Sequence, residues 1–190
     1  MGAAGSLKEA IAALAVRESL PDGAELTALA RETADVIESL PAQSRPRSRS
    51  GQAGGLFELP ADRPCLVIPD LHARTGFLVD LLGGAWCGER ATLEALEEGT
   101  LSLLFLGDGF HSEKNGIERW LSAWVDYRAG FPRGNAMRSE MRDGLTVMEI
   151  VMRLILAFPQ SVAFLKGNHE NVRNEEGEGN HPFRKYADEG

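Results

Sequence analysis

The apolar positions along the chain alternate between two kinds of pattern, one typical of strands and one typical of helices. Short continuous apolar runs predict three buried strands, at 66–68, 101–106 and 161–165. Apolar residues at helical spacing predict four helices around them, at 75–82, 91–96, 117–125 and 145–158. Buried runs separated by helices are typical of βαβ units, in which parallel strands are covered by helices on the sheet faces. The pattern therefore predicts an α/β protein with a parallel-strand core.

The residues before this core divide into two segments. Capping-box patterns at Ser6-Leu7-Lys8-Glu9 and Asp22-Gly23-Ala24-Glu25 precede apolar residues at helical spacing, which predicts a helical hairpin over 1–40. We expect this hairpin to pack on the main domain or on a protein partner. Residues 41–58 are rich in Ser, Gly and Arg and poor in apolar residues, which predicts a flexible linker or exposed loop. The main domain is expected to span 59–190.

Composition and charge narrow the classes of function. The chain has 190 residues and a net charge of −8, which disfavours a general nucleic-acid or anionic-membrane binder. Contact with RNA through Arg45, Arg47 and Arg49 stays open as a lesser alternative. The N-terminus lacks a signal-peptide pattern, and polar residues interrupt the most apolar stretch, 145–165, so no membrane span is predicted and a cytoplasmic location is expected.

Two side-chain environments are also predicted. Cys65, one of two cysteines, lies beside the first apolar run and is expected to be a small core residue. Trp120 and Trp124 lie on the apolar side of the third predicted helix, so we expect them in the core as well.

Polar side chains follow each predicted strand directly. Asp70 and His72 come after the first strand, Asp108 after the second, and Asn168 after the third. Because the carboxyl ends of parallel strands share one edge of a sheet, these side chains are expected to converge there. Residues two apart in an extended segment share a face, so Asp70 and His72 can reach one centre. Mixed oxygen and nitrogen ligands favour Mn, Fe or Zn over Ca.

The same residues carry a resemblance to a known family. In this order, Asp70-x-His72, Gly107-Asp108 and Gly167-Asn168-His169-Glu170 resemble the motifs of the calcineurin-like metallophosphoesterase superfamily. The last motif is most similar to the serine/threonine phosphoprotein phosphatase branch, and the resemblance covers about residues 64–190. It implies the core of an αββα sandwich, two divalent metal ions, and hydrolysis of a phosphomonoester or phosphoprotein by in-line attack of metal-bound hydroxide.

The resemblance also implies roles for individual residues. Asp70 and His72 would hold one metal ion, Asp108 would bridge, and Asn168 would hold the second. His169 would protonate the leaving oxygen. We expect Glu170 to support the turn by hydrogen bonding.

The chain departs from the family pattern in two places. The second motif usually continues Gly-Asp-x-x-Asp-Arg-Gly, but His111 and Ser112 occupy the positions of the second Asp and the Arg. His111 is expected to be catalytic together with His169, through contact with His169 or the substrate, and Glu113 is an alternative carboxylate. The family also takes further metal-binding histidines from a second half, whereas only His181 follows His169 here. We therefore expect a chain truncated at its C-terminus. The alternative is a catalytically incomplete protein-interaction module.

Overall fold

The computed structural model of the chain describes residues 3–112, 116–130, 134–167 and 169–170. Within these ranges the helices are α1 (Ala3–Ala15), α2 (Gly23–Ser39), α3 (Thr75–Gly83), α4 (Thr92–Glu97), α5 (Gly116–Arg128) and α6 (Asn135–Ala157). The strands are β1 (Cys65–Ile68), β2 (Ser102–Phe105) and β3 (Val162–Phe164). No helix in the described ranges combines the length and the apolar character needed to cross a lipid bilayer.

The three strands form one parallel sheet in the order β1-β2-β3. Ile68 pairs with Phe105, which pairs with Phe164 on the other side. The carboxyl ends of the strands therefore lie in register at one edge. The predicted α/β class and the parallel pairing of the three predicted strands are confirmed.

The hydrophobic core lies on one face of this sheet. Ile68, Leu103, Phe105 and Val162 are fully buried there, in one cluster with apolar residues of α3, α4 and α6. Because the strand order follows the sequence, right-handed crossovers place the helices of both connections on the same side.

The opposite face of the sheet is open in part. Cys65 is exposed and Val67 keeps 52% of its surface, while Leu106 and Leu165 are also exposed. The prediction that β1 is buried and that Cys65 is a core residue is therefore wrong. The physical reason is the strand order, which leaves no helix from the described part of the chain on this face of β1.

The N-terminal helices pack on the sheet domain. Ile11 of α1 belongs to the core, and Arg17, just after α1, makes a 2.6 Å ion pair with Glu149 of α6. The segment 41–58 is a loop fixed to the end of α2, where Arg45 donates to the carbonyl of Ile37 and Arg47 to that of Glu38.

Helix α5 packs on α6 through one side only. Ala123 is buried, but Leu121, Trp124 and Val125 keep 60%, 49% and 65% of their surface. The expectation that Trp124 lies in the core is wrong, because α5 lies outside α6 and its apolar stripe faces away from that helix. The side chain of Trp120 lies outside the described part of the chain.

Candidate metal centre

Two loops at the carboxyl edge of the sheet lie side by side. The parallel pairing of β1 and β2 continues past the strands, where His72 N–H donates to the Asp108 carbonyl at 2.6 Å. Ala73 N–H donates to the Gly109 carbonyl at 2.9 Å. These bonds hold the Asp70–His72 motif directly against the Gly107–Asp108 motif.

The backbone of both loops is unusual. His72, Ala73, Asp108 and His111 have φ values of 45°, 53°, 49° and 62°, and they are all of the non-glycine residues with positive φ in the described ranges. L-residues rarely adopt this left-handed region, and such residues concentrate at functional sites because the surrounding structure must hold them there. Three of the four carry side chains that the sequence places in the candidate site.

Three side chains converge at this edge. Ligand atoms of His72, Asp108 and His169 all lie within 4.8 Å of one another. Asp108 and His169 are buried, and the backbone N–H of His169 donates to Asp108 Oδ1 at 2.8 Å. Two imidazoles and a carboxylate are a donor set that suits Zn, Mn or Fe.

The tautomer of His72 follows from its hydrogen bond. Its Nδ1 lies 3.1 Å from the carbonyl oxygen of His111, which can only accept, so Nδ1 carries the proton and Nε2 the lone pair. Metal-binding histidines commonly have such a partner on the second nitrogen. The arrangement presents Nε2 to the site as a ligand.

The carboxylate of Asp70 faces His72 Nε2 without a direct hydrogen bond. Its Oδ2 is 3.9 Å from His72 Nε2, which is too far for a hydrogen bond. Two donor atoms that bind one ion at about 2.1 Å are separated by at most about 4.2 Å. This separation is one that a single divalent cation could span, but the group of possible ligands within 4.8 Å of one another contains His72, Asp108 and His169 and not Asp70.

Glu170 ties the third loop to the second. Its carboxylate accepts hydrogen bonds from the backbone N–H groups of Asp108 at 2.9 Å, Gly109 at 2.7 Å and Gly167 at 2.7 Å. The expectation that Glu170 supports the turn by hydrogen bonding is confirmed, and the support extends to Asp108 itself.

The two glycines of the motifs touch each other. Gly107 has φ of 108°, and a Cβ built on it would lie 2.7 Å from the Leu165 carbonyl oxygen and closer still to the Gly167 backbone. Only glycine lets the loops after β2 and β3 approach this closely.

His111 packs on His169. The two rings stack with centroids 5.0 Å apart and planes at 22°, so the predicted contact between these histidines is confirmed. Glu140, 3% exposed on α6, accepts a hydrogen bond from the Ser112 backbone N–H and is also paired with Arg119. The sequence pattern does not point to Glu140, because the apolar spacing predicts a helix only from 145, whereas α6 begins at Asn135.

Three of the predicted site residues lie outside the described part of the chain, namely Asn168, Glu113 and His181. The second metal ligand and the replacement carboxylate therefore stay predictions.

Comparison with known proteins adds no assignment. The chain was compared with protein-family models, with curated proteins and with solved structures, and nothing matches it in any of the three. The site therefore has to be interpreted from its own residues. They define a candidate His/Asp metal centre in an α/β protein.

Proposed function

We propose that the protein is a metal-dependent phosphoesterase of the calcineurin-like type, acting on a phosphomonoester or phosphoprotein. The observation that carries the proposal is the convergence of His72, Asp108 and His169 within 4.8 Å, at the carboxyl edge of a parallel sheet. The motif order in the sequence supports the same class. The open face of the sheet is compatible with the two-sheet αββα sandwich of that family, since a second sheet would pack there.

The residues of the candidate metal centre have different roles in the proposed hydrolysis. Bound divalent cations supply an acidic water molecule and neutralise phosphoryl oxygens. Asp70 and His72 would hold one cation, Asp108 would stand between two, and the predicted ligand of the second is Asn168. His169 would pass a proton to the leaving oxygen. Its backbone is held by the hydrogen bond from its main-chain N–H to Asp108, and its ring is stacked on that of His111.

A paired measurement tests this function. Calorimetry with Mn²⁺ should show binding to the wild-type chain, and p-nitrophenyl phosphate should be hydrolysed only with the metal present. Asp108→Asn should weaken Mn²⁺ binding by at least about 10–100-fold, because it removes one anionic ligand oxygen. Asp62→Asn is the control, since this carboxylate is 74% exposed and precedes β1, at the opposite end of that strand from Asp70. A wild-type protein that binds no Mn²⁺ would contradict the proposal.

One observation favours a second candidate, a protein-interaction module. Leu121, Trp124 and Val125 form an exposed apolar stripe on α5. Such stripes are common at protein interfaces. Two results together would favour this second function. The protein would bind Mn²⁺ without hydrolysing p-nitrophenyl phosphate, and Trp124→Ala would raise its solubility or lower its self-association.

A further inference from the structure

A pocket lies next to the candidate metal centre, bounded by the end of α1, the start of α3 and the middle of α6. Its volume is about 340 Å³, within the range of small-molecule sites. Ala73 and Ser112 form part of its wall, and they are the direct chain neighbours of His72 and His111. The pocket therefore adjoins the loops that carry the site.

The pocket wall is positively charged in an acidic protein. Arg17, Arg74 and Arg142 line it, together with the single carboxylate of Asp143 among its described residues. Asp143 already accepts hydrogen bonds from Arg142 and from Arg119. The whole chain, by contrast, has a net charge of −8. The cationic groups are therefore concentrated at this pocket, which favours the binding of an anion.

Arg74 contributes a positive charge that is not paired with a carboxylate among the described residues. The hydrogen bonds of its guanidinium go to the backbone carbonyls of Leu71, at 3.0 Å, and of Asp70. Arg74 is also the N-cap residue of α3 and makes no side-chain capping bond. The first turn of that nine-residue helix lines the same pocket, and a helix N-terminus favours negative charge.

Arg17 is held in a fixed position at the pocket. It donates to Glu149 Oε2 at 2.6 Å and to Thr146 Oγ1 at 2.9 Å, while Arg153 pairs with the other oxygen of Glu149. Burial alone would raise the pKa of Glu149, but the hydrogen bonds and charges of the two arginines outweigh it and hold the pKa below its ordinary value. Because two arginines share one carboxylate, this cluster retains positive charge.

We propose that this pocket binds a second phosphate group of a small phosphorylated substrate, while the group to be cleaved lies at the metal centre. The inference rests on the proposed phosphoesterase function. It adds a substrate class, small molecules with two phosphate groups. Arg142 is the arginine best suited to a test, because its hydrogen bonds go only to the adjacent Asp143 and its side chain is 28% exposed.

The first experiment measures inorganic phosphate binding by phosphorus NMR with excess EDTA, so that metal sites do not contribute. The wild-type chain should bind phosphate, and Arg142→Gln should weaken binding by about ten- to a hundredfold, by loss of one charged hydrogen bond. Arg142→Lys should recover part of the binding, because it restores the charge. Arg138→Gln, one turn earlier on α6, is the matched control and should leave binding unchanged, because Arg138 is exposed and does not line this pocket. Equal effects of Arg138→Gln and Arg142→Gln, or no phosphate binding by the wild type, would overturn the proposal.

The second experiment separates this inference from the function beneath it. The ratio of kcat/KM for glucose 1,6-bisphosphate to that for glucose 6-phosphate should exceed one in the wild type. Arg142→Gln should lower the ratio by raising KM for the bisphosphate. An unchanged ratio in an active enzyme overturns the pocket assignment alone. Phosphate binding that survives EDTA in a chain that binds no Mn²⁺ overturns the phosphoesterase function alone.

Discussion

Replacing Glu170 with Gln tests whether the loop after β3 builds the metal centre. In the wild type, one carboxylate accepts from three backbone N–H groups, those of Asp108, Gly109 and Gly167. Gln offers only one oxygen. An amide group then faces at least one backbone N–H donor, and that donor loses its acceptor.

The size of the effect follows from these bonds. A hydrogen bond to a charged group contributes about 1.5–3 kcal/mol, and a buried donor left without a partner costs about as much. Glu170 is only half-buried, so solvent screens part of the loss and we expect the lower end, about 2 kcal/mol less stability. Because the same bonds fix the backbone of Asp108, Mn²⁺ affinity should also fall by about 10–100-fold, as for other residues that orient metal ligands.

Two assays separate these effects. Urea unfolding in excess EDTA measures the stability change without metal, and calorimetric titration with Mn²⁺ measures the affinity change. Glu97→Gln, on the exposed side of α4, is the matched control and should change neither quantity. A Glu170→Gln protein with wild-type stability and wild-type Mn²⁺ affinity would refute the idea that this carboxylate organises the centre.

Two further substitutions test other parts of the fold. Gly107→Ala should lower the free energy of unfolding by about 2 kcal/mol or more, because its φ is 108° and the added Cβ meets the backbone of Gly167; Gly83→Ala, with open space around it, should not destabilise in the same urea assay. Glu149→Gln should destabilise by about 1–3 kcal/mol at pH 7, because two arginines lose their shared anion. Since the folded-state pKa of Glu149 lies below its ordinary value of 4.5, that contribution is complete well above pH 4.5 and is lost as the pH falls through the folded pKa. Stability curves that keep the same difference between wild type and variant well below that pH would contradict the second prediction.

The sequence predicts the parts of this molecule that depend on local pattern. The three apolar runs are strands, and the residues after the first two do meet, because parallel strands in register bring their carboxyl ends to one edge. The contact of His111 with His169 and the hydrogen bonds of Glu170 could also be foreseen, because both follow from motif positions.

What the sequence could not predict depends on how elements pack. An apolar run such as β1 has the same composition whether one face or two are covered, so the exposure of Cys65 and Val67 is visible only in the fold. The stripe that includes Trp124 has the same spacing whether it faces a core or solvent. Glu140 was missed because its buried partner, the Ser112 backbone, lies 28 residues away along the chain.

The strand order explains why this site depends so strongly on its loops. In doubly wound sheets the strand order reverses, and the reversal opens a crevice that receives the ligand. Here the order β1-β2-β3 has no reversal, so the described sheet supplies an edge but no crevice. The concave arrangement must come from the loops themselves, which extend the β1–β2 pairing as far as Ala73 and adopt left-handed backbone conformations at His72 and Asp108. Those conformations are unfavourable by themselves, so the bonds that hold them, above all those of Glu170, should control metal affinity more strongly than the packing of the strands does.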